Sequence, residues 1–160
     1  MKKYIALILS LLTVLCLCAA CGHSGTAVVS NDPGMDVISA AANGAVGNED
    51  MQDIPDSYIQ NTMKISADSY SECVAKISKV GTNIDEYGIF KTDDVEAMKA
   101  ALEDYLEYRE MIWMDEYLPT EHPKLQNAQV WVLGDYVMYA ILDSDTISAA
   151  KTAFEGCFEI

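Results

Sequence analysis

Apolar residues are distributed along the chain in three ways. Tyr4 to Leu17 is an unbroken apolar run apart from Ser10 and Thr13. Residues 72–91 and 128–142 show strand-like alternation or short β-branched and aromatic runs. Between Thr92 and Tyr117 the apolar positions recur every three or four residues. The unit from Tyr87 to Leu142 organises the rest: strand, long helix, proline-interrupted corner, hairpin.

The helix is predicted to begin after Thr92 and to reach Tyr117, closed by Leu118-Pro119. Val95, Met98, Leu102, Tyr105, Leu106 and Ile112 form one stripe, and Glu96, Lys99, Glu103, Asp104 and Glu107 lie opposite. That is the pattern of an amphipathic helix with one buried face. Thr92 is the expected N-cap, with Asp93 and Asp94 at the positive end of the helix dipole. Tyr108, Met111, Trp113 and Met114 widen the apolar surface toward the C-terminal end, most of it core and the remainder a patch for a partner.

Residues 72–79 alternate, with Cys73, Ala75 and Ile77 on one side, the period of a half-buried strand. Gly81-Thr82-Asn83 supplies a turn. A second strand follows over 84–91, with Tyr87 and Ile89 on one face and Phe90 on the other. Residues 128–133 and 135–142 read as a second hairpin around Gly134-Asp135. Both faces of its second strand are apolar, which predicts a central strand covered on two sides. Asp143-Ser144-Asp145 opens a last helix over 146–154, ended at Gly156. A short helix is expected over 53–63, with Pro55 in its first turn. Residues 36–42 have some helical character, stopped by Gly44, Gly47 and Asn48. The fold class is α+β: a small sheet built from two β-hairpins, in the order β-β-α-β-β-α, with the long amphipathic helix packed on it.

Met1-Lys2-Lys3 forms a basic start, and the fourteen-residue run from Tyr4 to Leu17 follows it. Such a run is too short for the roughly 30 Å hydrocarbon core of a membrane and has the length of a signal-peptide core. Leu17-Cys18-Ala19-Ala20-Cys21-Gly22 resembles the lipobox of bacterial lipoproteins, in which small residues precede a cysteine that is lipidated and becomes the new N-terminus. Cys21 is the matching position; Cys18 stands where that motif usually has Leu. The competing readings are a plain secretory signal cut near Ala20 and an uncleaved anchor. The expected organisation is a signal peptide over 1–20, a flexible Gly- and Ser-containing tether over 21–50 and an α+β domain over 51–160. Two or more acyl chains on Cys21 suffice for stable anchoring, which places the domain on the extracytoplasmic face of the cell membrane.

The chain has 10 Lys and Arg against 25 Asp and Glu. With Lys2 and Lys3 in the leader, the remainder carries eight cations against 25 acids, a net −17. A surface of that sign repels phosphate backbones, which argues against nucleic-acid binding, and favours cations or basic partners.

Tyr87-Gly88-Ile89-Phe90-Lys91, the acidic helix after it, residues 115–125 with "YLPTEHPKL", and "LGDYVMYAIL" over 133–142 together resemble a family of small bacterial lipoproteins known only as domain of unknown function 4358. The resemblance covers roughly 69–154. It implies an anchored, extracytoplasmic setting and brings no catalytic residue with it.

Chemistry leaves little trace in the chain. His23 and His122 are the two histidines, and no Cys-x-x-Cys or cluster of zinc spacing occurs, so no metal or other cofactor is expected. Asp143-Ser144-Asp145 starts like a calcium loop, but Ser148 stands where such a loop has glycine and Phe154 where it has an acid. There is no Gly-x-Ser-x-Gly and no phosphate-cradling glycine loop. Cys73 and Cys157 are the candidates for a disulfide in an oxidising compartment, with two inert thiols as the alternative.

The reading that follows is a non-enzymatic, lipid-anchored module that binds an envelope protein or component through an aromatic corner of Tyr108, Trp113, Tyr117, Leu118 and His122. A small-molecule-binding lipoprotein serving a transporter, and a carboxylate-based envelope hydrolase, are the alternatives.

Overall fold

A computed structural model describes residues 29–47, 49–114 and 116–160. The signal peptide expected over 1–20, Cys21 and the part of the expected tether over 22–28 lie outside the described residues. Among the described residues the helices are α1 (Met35–Val46), α2 (Asp56–Asn61), α3 (Val95–Met111), α4 (His122–Gln126) and α5 (Ser144–Glu155). The strands are β1 (Met51–Asp53), β2 (Glu72–Ser78), β3 (Glu86–Lys91), β4 (Gln129–Leu133) and β5 (Tyr136–Ile141).

The strands form one sheet in the order β1-β2-β3-β5-β4, and every neighbouring pair is antiparallel. Because β3 and β4 both pair antiparallel with β5, they run parallel to each other. Parallel strands need a long crossover, and α3 supplies it. The hairpin β4–β5 turns at Gly134, whose φ of 55° suits glycine. All six residues of β5 are buried, as expected for a central strand covered on both faces.

Alternation along the strands sorts the core into two clusters. Tyr87, Ile89, Tyr136, Met138 and Ala140 face α1 and α5. Ala75, Phe90, Val137 and Tyr139 face α2 and α3. The α+β class and the two-hairpin order hold, with α3 on the sheet. A fifth strand, β1, joins the edge beside β2, and a second helical layer covers the other face.

The tether expected over 21–50 does not extend through its second half. Met35, Ile38 and Ala42 are buried at helical spacing, so α1 belongs to the core. Gly44 does not stop it: the helix continues to Val46. Tyr87 Oη donates to Asn43 Oδ1, fastening α1 to the sheet. Residues 30–33 form a strap against the C-terminus. Ser30 N donates to Glu159 O (2.9 Å), Asn31 Nδ2 to Cys157 O (2.9 Å) and Tyr136 Oη to Pro33 O (2.6 Å). Lys91 Nζ lies 2.9 Å from Asp32.

The central helix is shorter than its pattern at both ends. Asp94, not Thr92, is the N-cap; its Oδ1 accepts from Ala97 N at 3.0 Å. Thr92 instead donates to Ser69 O at 2.7 Å and accepts from Asp94 N, binding the helix start to the 3₁₀ turn Ala67–Ser69. At the other end the helix stops at Met111. Trp113 turns back to stack on His122, and Leu118 takes a left-handed φ of 52°. Pro119 and Pro123 do break the chain as expected, but 122–126 winds into the short α4 with Pro123 in its first turn.

Gly88 sits opposite Tyr139 in the β3–β5 register. A Cβ there would lie 2.6 Å from the Tyr139 ring and 3.2 Å from Ala75 Cβ. Gly88→Ala is therefore expected to destabilise the fold by about 1–3 kcal/mol, the range for overpacking, measured as a lower urea midpoint with an unchanged slope. A second expectation concerns α5. Asp143 Oδ1 accepts from Thr146 N (3.0 Å) and Asp145 N (3.1 Å), and its Oδ2 from Thr146 Oγ1 (2.7 Å). The backbone and side-chain hydrogen bonds from Thr146 hold its carboxyl below the usual range. Its contribution is thus present above the unfolded carboxyl value and is lost as pH falls through the lower folded value. Asp143→Ala should cost about 1 kcal/mol near neutrality, and the gap to wild type should close on acidification.

Candidate interaction surface

The C-terminal end of α3 is where the sheet, the helix and the corner meet. Glu86, the first residue of β3, is fully buried and points to the α3 face. Its Oε1 accepts from Tyr105 Oη and Tyr139 Oη, each at 2.7 Å. Its Oε2 is paired with Arg109 Nη1. The same guanidinium nitrogen donates to Tyr105 Oη (2.7 Å) and Tyr58 Oη (3.3 Å), and the two phenols lie 3.0 Å apart.

Burial, and secondly the Glu86 charge, push the Tyr105 and Tyr139 phenols far above their ordinary value, so both stay protonated and donate. Burial disfavours the Arg109 charge, but Glu86 and the phenols outweigh it and raise the guanidinium further. Both Glu86 oxygens have donors and each phenol has a partner, and the network seats α3 on the sheet.

A second clamp holds the corner. Lys124 Nζ lies 2.7 Å from Asp85, 2.8 Å from Glu121 and 3.0 Å from Asn83 Oδ1. Glu121 Oε2 also accepts from Ile84 N at 3.2 Å. Together they tie α4 to the turn between β2 and β3.

On this base the five expected corner residues come together, with unequal roles. Trp113 is partly buried and stacks on His122 with ring centroids 5.6 Å apart and planes at 14°. His122 Nε2 lies 2.8 Å from Glu110 Oε1. Trp113 Nε1 is buried and has no hydrogen-bond acceptor among the described residues. Leu118 is half-buried. Tyr108 and Tyr117 are 41% and 56% exposed, and between them Met111 (73%), Ile112 (50%) and Met114 (64%) also face solvent. The Trp113–His122 stack is thus the brace, and the exposed apolar surface is Tyr108, Met111, Ile112, Met114 and Tyr117.

The two thiols are free. Cys73 packs with the α2/α3 cluster and Cys157 with the α1/α5 cluster. The sheet lies between them, so the disulfide considered from the sequence is not formed. Burial first, and Asp56 second, push the Cys73 thiol up to about 12. Burial also raises Cys157, whose Sγ contacts Ala153 O at 3.3 Å. Both are poor nucleophiles. Among the described residues no three His, Cys, Asp or Glu side chains gather as a metal would need. No described helix is long and apolar enough to cross a membrane.

The Glu86 network was not anticipated. Its signal was present: of the two acids in the strand expected over 84–91, Glu86 falls on the same side by alternation as Phe90. Charged residues are almost never fully buried unless paired, so an acid at that position implies a buried partner.

Residues 44–142 match the model of the family described as domain of unknown function 4358, and the chain belongs to that family. No curated protein and no solved structure matches the chain.

The network carries its own test. Arg109→Met leaves a buried carboxylate without its counter-charge and should cost about 3–5 kcal/mol. Glu86→Met/Arg109→Met should cost less than the sum of the two single changes, with a coupling of about 1–3 kcal/mol in a double-mutant cycle. Additive urea midpoints would show instead that the two groups act independently.

Proposed function

We propose that the protein is a lipid-anchored, extracytoplasmic interaction module of the bacterial cell envelope, held to the membrane through Cys21. It binds a protein or other envelope component through the corner at the end of α3, and its work is binding rather than catalysis. The observation that carries this reading is the exposure of Tyr108, Met111, Ile112, Met114 and Tyr117, all close in sequence at the end of α3, in a strongly acidic chain. Exposed apolar patches of this kind mark interaction sites, and methionine side chains adapt to irregular partners. The brace beneath supports a fixed shape: Trp113 is stacked on His122, and Lys124 clamps α4. The leader, with its basic start, short apolar run and Ala19-Ala20-Cys21, supports the anchored setting.

Cross-linking on intact cells, followed by purification of the tagged protein from solubilised membranes, is the measurement. Wild type should retain one stoichiometric partner. Cys21→Ala should leave the membrane fraction. Trp113→Ala should lose the partner, and so should Met111→Glu, whose side chain is exposed and whose unfolding midpoint should not change. Retention of the partner by both corner variants would remove the corner from the reading.

A further inference from the structure

The apolar patch does not end at Tyr108. Two clefts adjoin along α3, between that helix and residues 61–71. One of about 410 Å³ is lined by Lys64, Asp68, Asp93, Asp94 and Met98 among others. The next, of about 400 Å³, is lined by Met63, Lys64, Ala101, Asp104, Tyr105 and Tyr108. They share Lys64 and Ala101, so they form one groove. From Asp94 to Tyr108 the helix rises roughly 20 Å. Met111 lies one helical turn beyond Tyr108, within the exposed patch.

The floor is apolar, with Met63, Ile65, Met98 and Ala101, and the walls are acidic. Asp68, Asp93, Asp94 and Asp104 face it against the single cation Lys64. Nearby positive charge is already committed elsewhere, Arg109 to Glu86 and Lys124 to Asp85 and Glu121. A groove with an apolar floor, acidic walls and an aromatic–methionine end is complementary to a basic segment carrying a large apolar side chain.

We infer that this groove takes a cationic peptide segment of a partner protein, lysines or arginines set against Asp68, Asp93 and Asp104, and an apolar anchor seated on Tyr108 and Met111. The inference deepens the interaction-module reading by naming the partner's chemistry, and it rests on that reading only in taking the domain as a binder. About six extended residues span the groove. An acidic or uncharged segment lacks the complementary charge.

The probe is a synthetic lysine-rich peptide ending in phenylalanine, titrated calorimetrically into the full chain in detergent. Controls are the same peptide with glutamate in place of lysine, and one with alanine in place of phenylalanine. Both controls should bind more weakly than the probe. Asp68→Asn/Asp104→Asn, at exposed positions, should weaken the probe about tenfold at low salt and flatten its salt dependence. Ala101→Trp should block the groove. Should Ala101→Trp fail to fold, Asp68→Lys/Asp104→Lys replaces it and should abolish binding. Equal binding of the glutamate peptide, or full binding by the charge variants with normal unfolding midpoints, overturns the inference. The two readings fail separately. A cellular partner lost on Met111→Glu, with no groove binding by the probe, removes the cationic segment and keeps the module. Groove binding by the probe, with a cellular partner indifferent to the corner, does the reverse.

Discussion

A carboxylate with no solvent contact lies at the junction of the sheet and α3, and its desolvation constrains what surrounds it. The effective cost of burying an ion is several kcal/mol even after relaxation. Glu86 is tolerable only because Arg109, Tyr105 and Tyr139 converge on it. Two of those groups come from α3 and one from β5. A slide of α3 by one turn, about 5.4 Å, would strand the charge. The apolar contacts beneath the helix are non-directional and would accept several positions; the ion pair accepts one. Gly88 follows from the same constraint. Tyr139 reaches Glu86 across the space that a side chain at 88 would fill.

How much of this was legible varies element by element. The strands β2 to β5 were legible because each follows period two or a compact β-branched run, and the turn at Gly134 is chemically specific. The length of α3 was overread: Trp113 and Met114 extend the apolar pattern past Met111, whereas in the fold Trp113 lies beyond the helix, stacked on His122. The start was misplaced by two residues because Thr92 and Asp94 are both good caps. Which one caps depends on Ser69, which claims the Thr92 hydroxyl. α1 was hidden by its own composition, since Ala and Gly carry little hydrophobic signal and its burial depends on pairing with α5. Of the site, the corner was legible as aromatic residues around prolines. The division into a buried brace and an exposed face was not, because it depends on where the chain turns after Met111.

The charge imbalance gains meaning from where the few cations are. Six of the eight outside the leader are engaged in ion pairs: Lys76, Lys91, Lys99, Arg109, Lys124 and Lys151. Apart from the buried Arg109–Glu86 pair, the exposed ones among them add little stability. Their larger effect is that the positive charge is neutralised locally, so the surplus acids set the field outside the domain. Such a field raises the encounter rate with cationic partners and falls with ionic strength.

The strap at residues 30–33 gives the domain a direction. It lies beside the β4–β5 turn and the C-terminus, at the Lys91 end of β3. The corner lies beside the β2–β3 turn, at the Glu86 end. Six strand residues, about 20 Å, separate the two. Under the proposed anchoring through Cys21, seven residues lie between that position and Val29, a span of at most about 29 Å. That anchoring would keep the pole that carries the strap close to the lipid and would present the opposite pole, with Tyr108, Met111 and Tyr117, away from it. A partner of this surface would then approach from the side facing away from the bilayer, without touching the membrane.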